Sequence, residues 1–201
     1  TMSSPSENKP RALFLDRDGV VNVDNDYIFR QEDFHFMEGI FEVCRTAQNL
    51  GYLLVIITNQ SGIARGYYTE DDFNQLTEWM LGQFQSRGIG ITRVYFCPHH
   101  PTLGTSRYRK SCRCRKPNPG MPLQAMEELD IDMQNSLLIG DKARDIRAGS
   151  SAGIGTNILL APTVDEASPT EADLVIGSLS EFVPWLHNHT GTPEHKGSTS
   201  T

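Results

Sequence analysis

The sequence has no apolar run long enough to cross a bilayer. Its longest, Leu53–Ile57, falls far short of the ~20 residues a spanning helix needs. Residues 1–10 are polar and lack the apolar core of a secretory signal, so the expected setting is cytoplasmic, with no membrane partner. Cations are scarce relative to anions, 18 Lys and Arg against 25 Asp and Glu, for a formal charge of −7. A net-acidic surface repels polyanions and argues against bulk binding of nucleic acid. Cysteine is scarce too, and three of the four gather near one histidine, which points to a metal rather than to disulfides. No internal repeat or low-complexity linker divides residues 11–187. The 201 residues suffice for one well-buried domain but not for two large ones. The polar segments 1–10 and 188–201 are expected to be disordered.

What is present is an alternation. Short apolar runs at Ala12–Leu15, Leu53–Ile57, Arg93–Phe96, Leu137–Ile139 and Thr156–Leu160, and a weaker one at Leu174–Ile176, are separated by helical patterns. Ile40, Cys44, Ala47 and Leu50 recur at helical spacing, as do Phe73, Leu76, Met80 and Phe84; Met121–Leu129, Ala143–Ala152 and Leu179–Leu186 are further candidates. Near-continuous apolar strands alternating with helices predict an α/β fold with a doubly wound, mostly parallel sheet. In such sheets ligands bind beyond the carboxyl ends of the strands, so the chemistry-bearing motifs should follow strands.

Three of four motifs do. Asp16-Arg17-Asp18-Gly19 follows the first strand. Two carboxylates so close repel each other unless a partner intervenes, and a divalent cation such as magnesium is the natural one; a solvated acidic turn reads equally well. Thr58-Asn59-Gln60-Ser61 follows the second strand. It could hold phosphate oxygens or merely cap a helix. Arg115-Lys116-Pro117 supplies cations suited to phosphate, or to solvent. Gly140-Asp141-Lys142-Ala143-Arg144-Asp145 offers a further magnesium ligand in Asp141, supported by Asp145, or an acid-capped helix start.

A fifth constellation is Cys97, His99, Cys112 and Cys114. Three thiolates and an imidazole make a closed tetrahedral set for structural zinc; reduced cysteines near a surface are the alternative. His100 and Cys44 are read as bystanders. Residues 107–116 hold six basic residues in ten, which keeps nucleic-acid binding open as a rival, against the overall charge.

Singly these motifs are weak, but their order from 11 to 186 resembles that of the haloacid dehalogenase superfamily. The resemblance implies Asp16 as nucleophile and Asp18 as the acid that protonates the leaving group and then activates water. It implies Thr58 and Lys116 as stabilisers of the transferring phosphoryl group. Magnesium would be held by Asp16, Asp141 and the backbone carbonyl of Asp18. The stretches Phe14–Gly19, Asn59–Gly66, Cys97–Pro101 and Cys112–Pro117 further resemble the heptose bisphosphate phosphatases of Gram-negative bacteria. Members of that family remove the 7-phosphate of D-glycero-D-manno-heptose 1,7-bisphosphate, a step toward lipopolysaccharide core or related heptosides. The resemblance implies a sugar-phosphate substrate held by Asp24, Asn25, Asp26, Tyr27, Thr58, Asn59, Gln60, Ser61, Arg115, Lys116 and Lys142; Arg65 is added as a second phosphate contact. Val20 stands where many relatives carry threonine. Histidinol-phosphate phosphatase and a nucleic-acid 3′-phosphatase are the alternatives, and a non-enzymatic zinc scaffold leaves the motif order unexplained. The expected protein is a monomer.

Spacing bears on the shape of the site. Between Asp18 and Thr58 lie 39 residues, and between Thr58 and Lys116 lie 57. Neither interval has room for a cap domain, so a capless site walled by residues 24–27 and by the zinc loop, 97–116, is expected.

Overall fold

The computed structural model describes residues 8–163 and 171–189. Six strands form one sheet: β1 (Ala12–Leu15), β2 (Leu53–Asn59), β3 (Arg93–Cys97), β4 (Leu137–Gly140), β5 (Thr156–Leu160) and β6 (Leu174–Ile176). Their order is β3-β2-β1-β4-β5-β6, and all five pairings are parallel. Parallel neighbours need crossovers. These are supplied by α1 (Ile40–Asn49), α2 (Glu70–Gln85), α3 (Gly120–Leu129) and α4 (Ala143–Ser151), while α5 (Leu179–His189) closes the described chain. No helix among the described residues is long and apolar enough to cross a membrane.

The sheet divides the core in two, because side chains alternate along a strand. Leu13, Leu15, Leu54, Ile56, Leu137, Ile139, Ile158 and Leu160 share one core with residues of α1, α2 and α5. Ala12, Phe14, Val55, Ile57, Leu138 and Leu159 face the other, with Met121 and Ala125 of α3 and Ile146 of α4. With both faces covered, the strands have no polar side to show, which is why they read as unbroken apolar runs.

The α/β, doubly wound architecture is thus the expected one, with sharper boundaries. β2 runs two residues past Ile57, because Thr58 and Asn59 pair with Phe96 and Cys97 of β3. The second motif therefore begins on the strand, and the first cysteine of the metal set ends a strand. α5 continues past Leu186 to His189, into the first two residues expected of the tail; 190–201 and 1–7 lie outside the described residues. Asn8–Pro10 do have a place: the Pro10 carbonyl accepts from the Asp132 N–H at 2.9 Å, and Lys9 meets Asp130 at 2.7 Å. The intervals 16–39 and 98–119 hold no further helix or strand beyond a 3₁₀ turn at Gln31–Asp33, so the fold is capless.

β1 is the central strand, flanked by β2 and β4. Its start is pinned by Ser136, whose hydroxyl accepts from the Ala12 N–H at 2.9 Å and donates to the Asp132 carbonyl at 2.6 Å. Ala12 and Ser136 are both buried. Ser136→Ala should lower stability by roughly 1–3 kcal/mol, the cost of stranding a buried donor. A denaturant titration of parent and variant checks this; an unchanged midpoint would mean the hydroxyl contributes nothing.

Candidate active site

The sheet order reverses at β1, so the crevice beyond the carboxyl ends of β1 and β4 is the switch point where open α/β sheets bind ligands. Asp16 and Asp18 leave β1 there, Thr58 and Asn59 end β2, and Asp141 follows β4. The motifs, distant in sequence, converge on Lys116. Its ammonium lies 2.7 Å from Asp16 Oδ1 and 2.8 Å from Asp145 Oδ1, and donates to the Ile57 carbonyl at 2.9 Å. Lys116 is 2% exposed and Asp145 1%. Burial works against the lysine's charge, but Asp145 and Asp16 outweigh it and raise its pKa. Burial also works against charge on Asp145, and there Lys116 wins and lowers the pKa. Asp16 ends on the other side: burial and the neighbouring Asp145 push it well above the usual carboxylate range despite Lys116.

That imbalance has a chemical meaning. Asp16, Asp141 and Asp145 bring oxygens within 4.8 Å of one another, with one buried ammonium among them. Asp141 is pushed up to about 6, by burial and by Asp145, and its buried Oδ1 has no hydrogen-bond partner among the described residues. Asp145 is engaged on both sides, by Lys116 and by the Lys142 N–H at 3.1 Å. Asp16 and Asp141 are left as a hard-oxygen pair in need of positive charge, a donor set that fits magnesium. Gly19 permits the approach: its φ is +92°, and a Cβ there would sit 2.1 Å from Asp141 Oδ2.

The two aspartates of the first motif separate cleanly. Asp18 turns its carboxylate away from the metal-type cluster and accepts from Arg17, Asn22 and Gln60. The ligand role that the resemblance implies for Asp18 is a main-chain one. Arg17, wholly buried, also donates to the Ile28 carbonyl at 2.8 Å. Sequence reasoning missed Arg17 and Asn22, because an arginine between two aspartates reads as solvated and no local signal marks it as buried.

A cleft of about 240 Å³ opens onto Asp18. Of the expected substrate residues, Asp24, Asp26, Tyr27, Asn59, Gln60, Ser61, Arg65, Arg115 and Lys142 line it. Thr58 and Lys116 are buried behind it. Asn25 lines a neighbouring hollow with Arg30 and His35 instead. Gln60 reaches the cleft but is only 2% exposed, its amide engaged with Asp18, Thr58 and Tyr68. Arg144 and Tyr68 line the cleft without having been expected there; Arg144 stands inside a motif that had been read for its carboxylates. At the rim Asp26 and Tyr27 both have positive φ, 55° and 52°, a strained conformation that clusters at functional sites. The Lys142 ammonium ties Asp24 across the rim at 3.3 Å.

The fifth constellation also assembles. Cys97, His99, Cys112 and Cys114 bring their ligand atoms within 4.8 Å of one another. Sulfur–sulfur distances are 2.9, 3.4 and 3.5 Å, and His99 Nδ1 lies 3.4 and 3.7 Å from Cys114 and Cys97. A tetrahedral ion with bonds of ~2.3 Å sets ligands about 3.8 Å apart, so the cluster is of the right size. Cys114 is pulled down to about 5, chiefly by its hydrogen bond with Cys97, and Cys97 is pushed up in return. All four cysteines are free. His100 serves its own turn, accepting from the Thr102 and Leu103 N–H groups, and Cys44 is buried in α1. The loop is fastened to the reaction centre by a reciprocal pair: Asn59 Nδ2 donates to the Lys116 carbonyl at 3.1 Å, and the Lys116 N–H donates to Asn59 Oδ1 at 3.0 Å.

Comparison with known proteins finds relatives that span most of the chain. The HAD-hydrolase-like family model matches residues 113–182. A D-glycero-alpha-D-manno-heptose-1,7-bisphosphate 7-phosphatase of Burkholderia mallei is 50% identical over 190 residues, covering 94% of this chain and 99% of that protein. The D-glycero-beta-D-manno-heptose-1,7-bisphosphate 7-phosphatase of Vibrio cholerae is 46% identical over 177 residues, covering 87% and 95%. Among solved structures, D,D-heptose 1,7-bisphosphate phosphatase from B. bronchiseptica, complexed with magnesium and phosphate, superposes with a TM-score of 0.78 at 27% identity, covering 89% and 99%. A HAD-like phosphatase from Mesorhizobium loti gives 0.79 at 30% identity, covering 93% and 90%.

The buried ion triad makes a testable claim about stability. Lys116→Met keeps the stem and removes the charge, leaving Asp16 and Asp145 buried without a cation. Breaking a buried pair in this way should cost roughly 3–5 kcal/mol, read from denaturant unfolding in a chelating buffer. A variant as stable as the parent would mean the triad carries no net pairing energy.

Proposed function

The chain belongs to the D-glycero-D-manno-heptose-1,7-bisphosphate 7-phosphatase family of haloacid dehalogenase-type hydrolases, and from that premise we propose that it hydrolyses the 7-phosphate of such a heptose bisphosphate through an aspartyl-phosphate on Asp16. The observation that carries this reading is the 2.7 Å contact between Lys116 and Asp16, beside Asp141 and beneath a cleft lined by Arg65, Arg115, Lys142 and Arg144. A carboxylate meets a phosphate dianion only where cations offset their repulsion.

The chemistry follows in two steps. Oxygen of Asp16 bonds to phosphorus as the ester P–O bond breaks, and Asp18 gives its proton to the departing sugar oxygen. Asp18 then takes a proton from water, the water oxygen bonds to phosphorus, and the bond to Asp16 breaks to release phosphate. Splitting the hydrolysis lowers the barrier of each part. Lys116 holds Asp16 in orientation, together with the Arg17 N–H that donates to the same oxygen at 2.9 Å, and with Thr58 it faces the transferring oxygens. Magnesium, held by Asp16, Asp141 and the main chain of Asp18, would neutralise charge on the phosphoryl group. Arg115, with Arg65 and Lys142, suits the second phosphate, and the exposed ring of Tyr27 at the rim suits a sugar face. Structural zinc at Cys97, His99, Cys112 and Cys114 would fix the wall that carries Arg115, whose guanidinium donates to the His99 carbonyl at 3.3 Å. A cytoplasmic monomer without nucleic-acid or membrane partners completes the reading. The histidinol-phosphate and nucleic-acid alternatives are not favoured by the relatives named above.

Three measurements test it. Phosphate release from both anomers of the heptose bisphosphate, with magnesium, should be efficient in the parent and absent in Asp16→Asn, which stays folded; a parent that prefers histidinol phosphate or a DNA 3′-phosphate overturns the substrate. Arg115→Ala should raise KM for the bisphosphate far more than for a simple monophosphate, since the contact holds ground and transition states alike; equal losses would place Arg115 in the general phosphoryl machinery. Elemental analysis should find about one zinc per chain, and Cys112→Ala should lower the melting temperature, because metal binding and folding are coupled. Zinc-free protein with parental melting and activity would remove the zinc.

A further inference from the structure

Tyr68 belongs to none of the motifs, yet it is 6% exposed and lines the reaction cleft. Its hydroxyl donates to Oε1 of Gln60. Gln60 Nε2 in turn donates to Asp18 Oδ2 at 3.0 Å and to Thr58 Oγ1 at 2.8 Å. The polarity of this relay follows from the ionised form of Asp18. A carboxylate only accepts, so Gln60 presents its NH₂ group to it. Its oxygen then faces Tyr68 and needs a donor. Burial pushes the Tyr68 hydroxyl's pKa up, so it keeps the proton it donates. The ring is held in place, stacked on Phe29 at 5.2 Å and packed so close to Gly62 that a Cβ there would come within 2.2 Å of it.

The two oxygens of Asp18 are unequally occupied. Oδ1 accepts from Arg17 Nε at 3.2 Å, from Arg17 NH2 at 2.9 Å and from Asn22 Nδ2 at 2.9 Å. Among the described residues Oδ2 accepts from Gln60 alone, and so has a lone pair left for a proton. We propose that Tyr68 and Gln60 are positioning residues that aim Oδ2 of Asp18, the oxygen that carries the transferable proton, into the substrate cleft. The inference rests on the reading of Asp18 as the proton donor. As the ester bond breaks, the proton leaves Oδ2 for the sugar oxygen, and Gln60 and Arg17 receive the carboxylate that forms. Later Oδ2 takes a proton back from the attacking water. Without the phenol, Gln60 Oε1 is buried without a donor. The amide is then free to turn and accept the Asp18 proton itself, which withdraws that proton from the substrate.

The test uses leaving groups. In a two-step mechanism kcat/KM reports events up to the first phosphoryl transfer. A sugar alkoxide needs the proton to depart, whereas p-nitrophenolate does not. Purified parent, Tyr68→Phe, Gln60→Met and Asp18→Asn are compared on the heptose bisphosphate and on p-nitrophenyl phosphate. Tyr68→Phe keeps the ring and its packing. Its kcat/KM for the sugar ester should fall by about 10-fold, part of the ~10²–10⁴ that acid catalysis supplies. The loss on the nitrophenyl ester should be several-fold smaller, with melting temperature and sugar-ester KM near parental values. Gln60→Met should follow the same pattern. Equal losses on both esters, or none on either, with Asp18→Asn still dependent on the leaving group, would overturn the positioning role alone. An Asp18→Asn loss equal on both esters would overturn the acid assignment and this inference with it.

Discussion

The site depends on a single ammonium placed between two buried carboxylates. Lys116 is brought to Asp16 from 100 residues away and meets Asp145 on its other side. Neither aspartate would tolerate such burial alone, and neither would the lysine. Three otherwise costly groups are admitted together, and the end of β1, the start of α4 and the loop that carries Lys116 are tied by that mutual need. The charge count is still two short. Asp16, Asp141 and Asp145 outnumber the lysine, and the remaining deficit is what raises Asp16 and Asp141. A site built in this way attracts a divalent cation and a phosphoryl group as a pair, since each offsets the other.

Most of the fold was legible because burial on both sheet faces writes itself as uninterrupted apolar runs. β1, β5 and β6 fall where the composition puts them. The strands that overrun their apolar stretch do so for pairing reasons: Thr58 and Asn59 are polar, and only the register with Phe96 and Cys97 keeps them in the ladder. The principal groups of the site were legible for a different reason. Asp16, Lys116 and Asp141 occur in a fixed order relative to the strands, and order survives where individual motifs are ambiguous. What could not be read was the support. Arg17, Asn22 and Tyr68 act through partners set by tertiary packing, and no spacing rule distinguishes a buried arginine from a solvated one. The resemblance implied Gln60 as a substrate contact; the structure turns its amide inward, onto Asp18.

Being capless shifts the burden of specificity to the rim. The strained turn at Asp26 and Tyr27 and the arginines of the cleft stand where a cap would otherwise close. None of these groups rests on the sheet directly. The turn is tied by Asp24 to Lys142, and Arg115 by its guanidinium to the metal-type loop. Most of the cleft lining is therefore carried on loops, while Asp16, Thr58 and Asp141 stand at strand ends.

The paired amides of Asn59 and Lys116 give that division a further consequence. Two hydrogen bonds in opposite directions, 3.1 and 3.0 Å, weld the root of the cysteine loop to the tip of β2, so the lysine is indexed to the sheet and not to the loop's outer course. Substitutions at 100–111, outside the cysteine–histidine ligand set, should then leave the reacting groups in register. The outer course of the loop, which contributes no residue to the cleft lining, is thereby mechanically separate from the reacting groups at the strand ends.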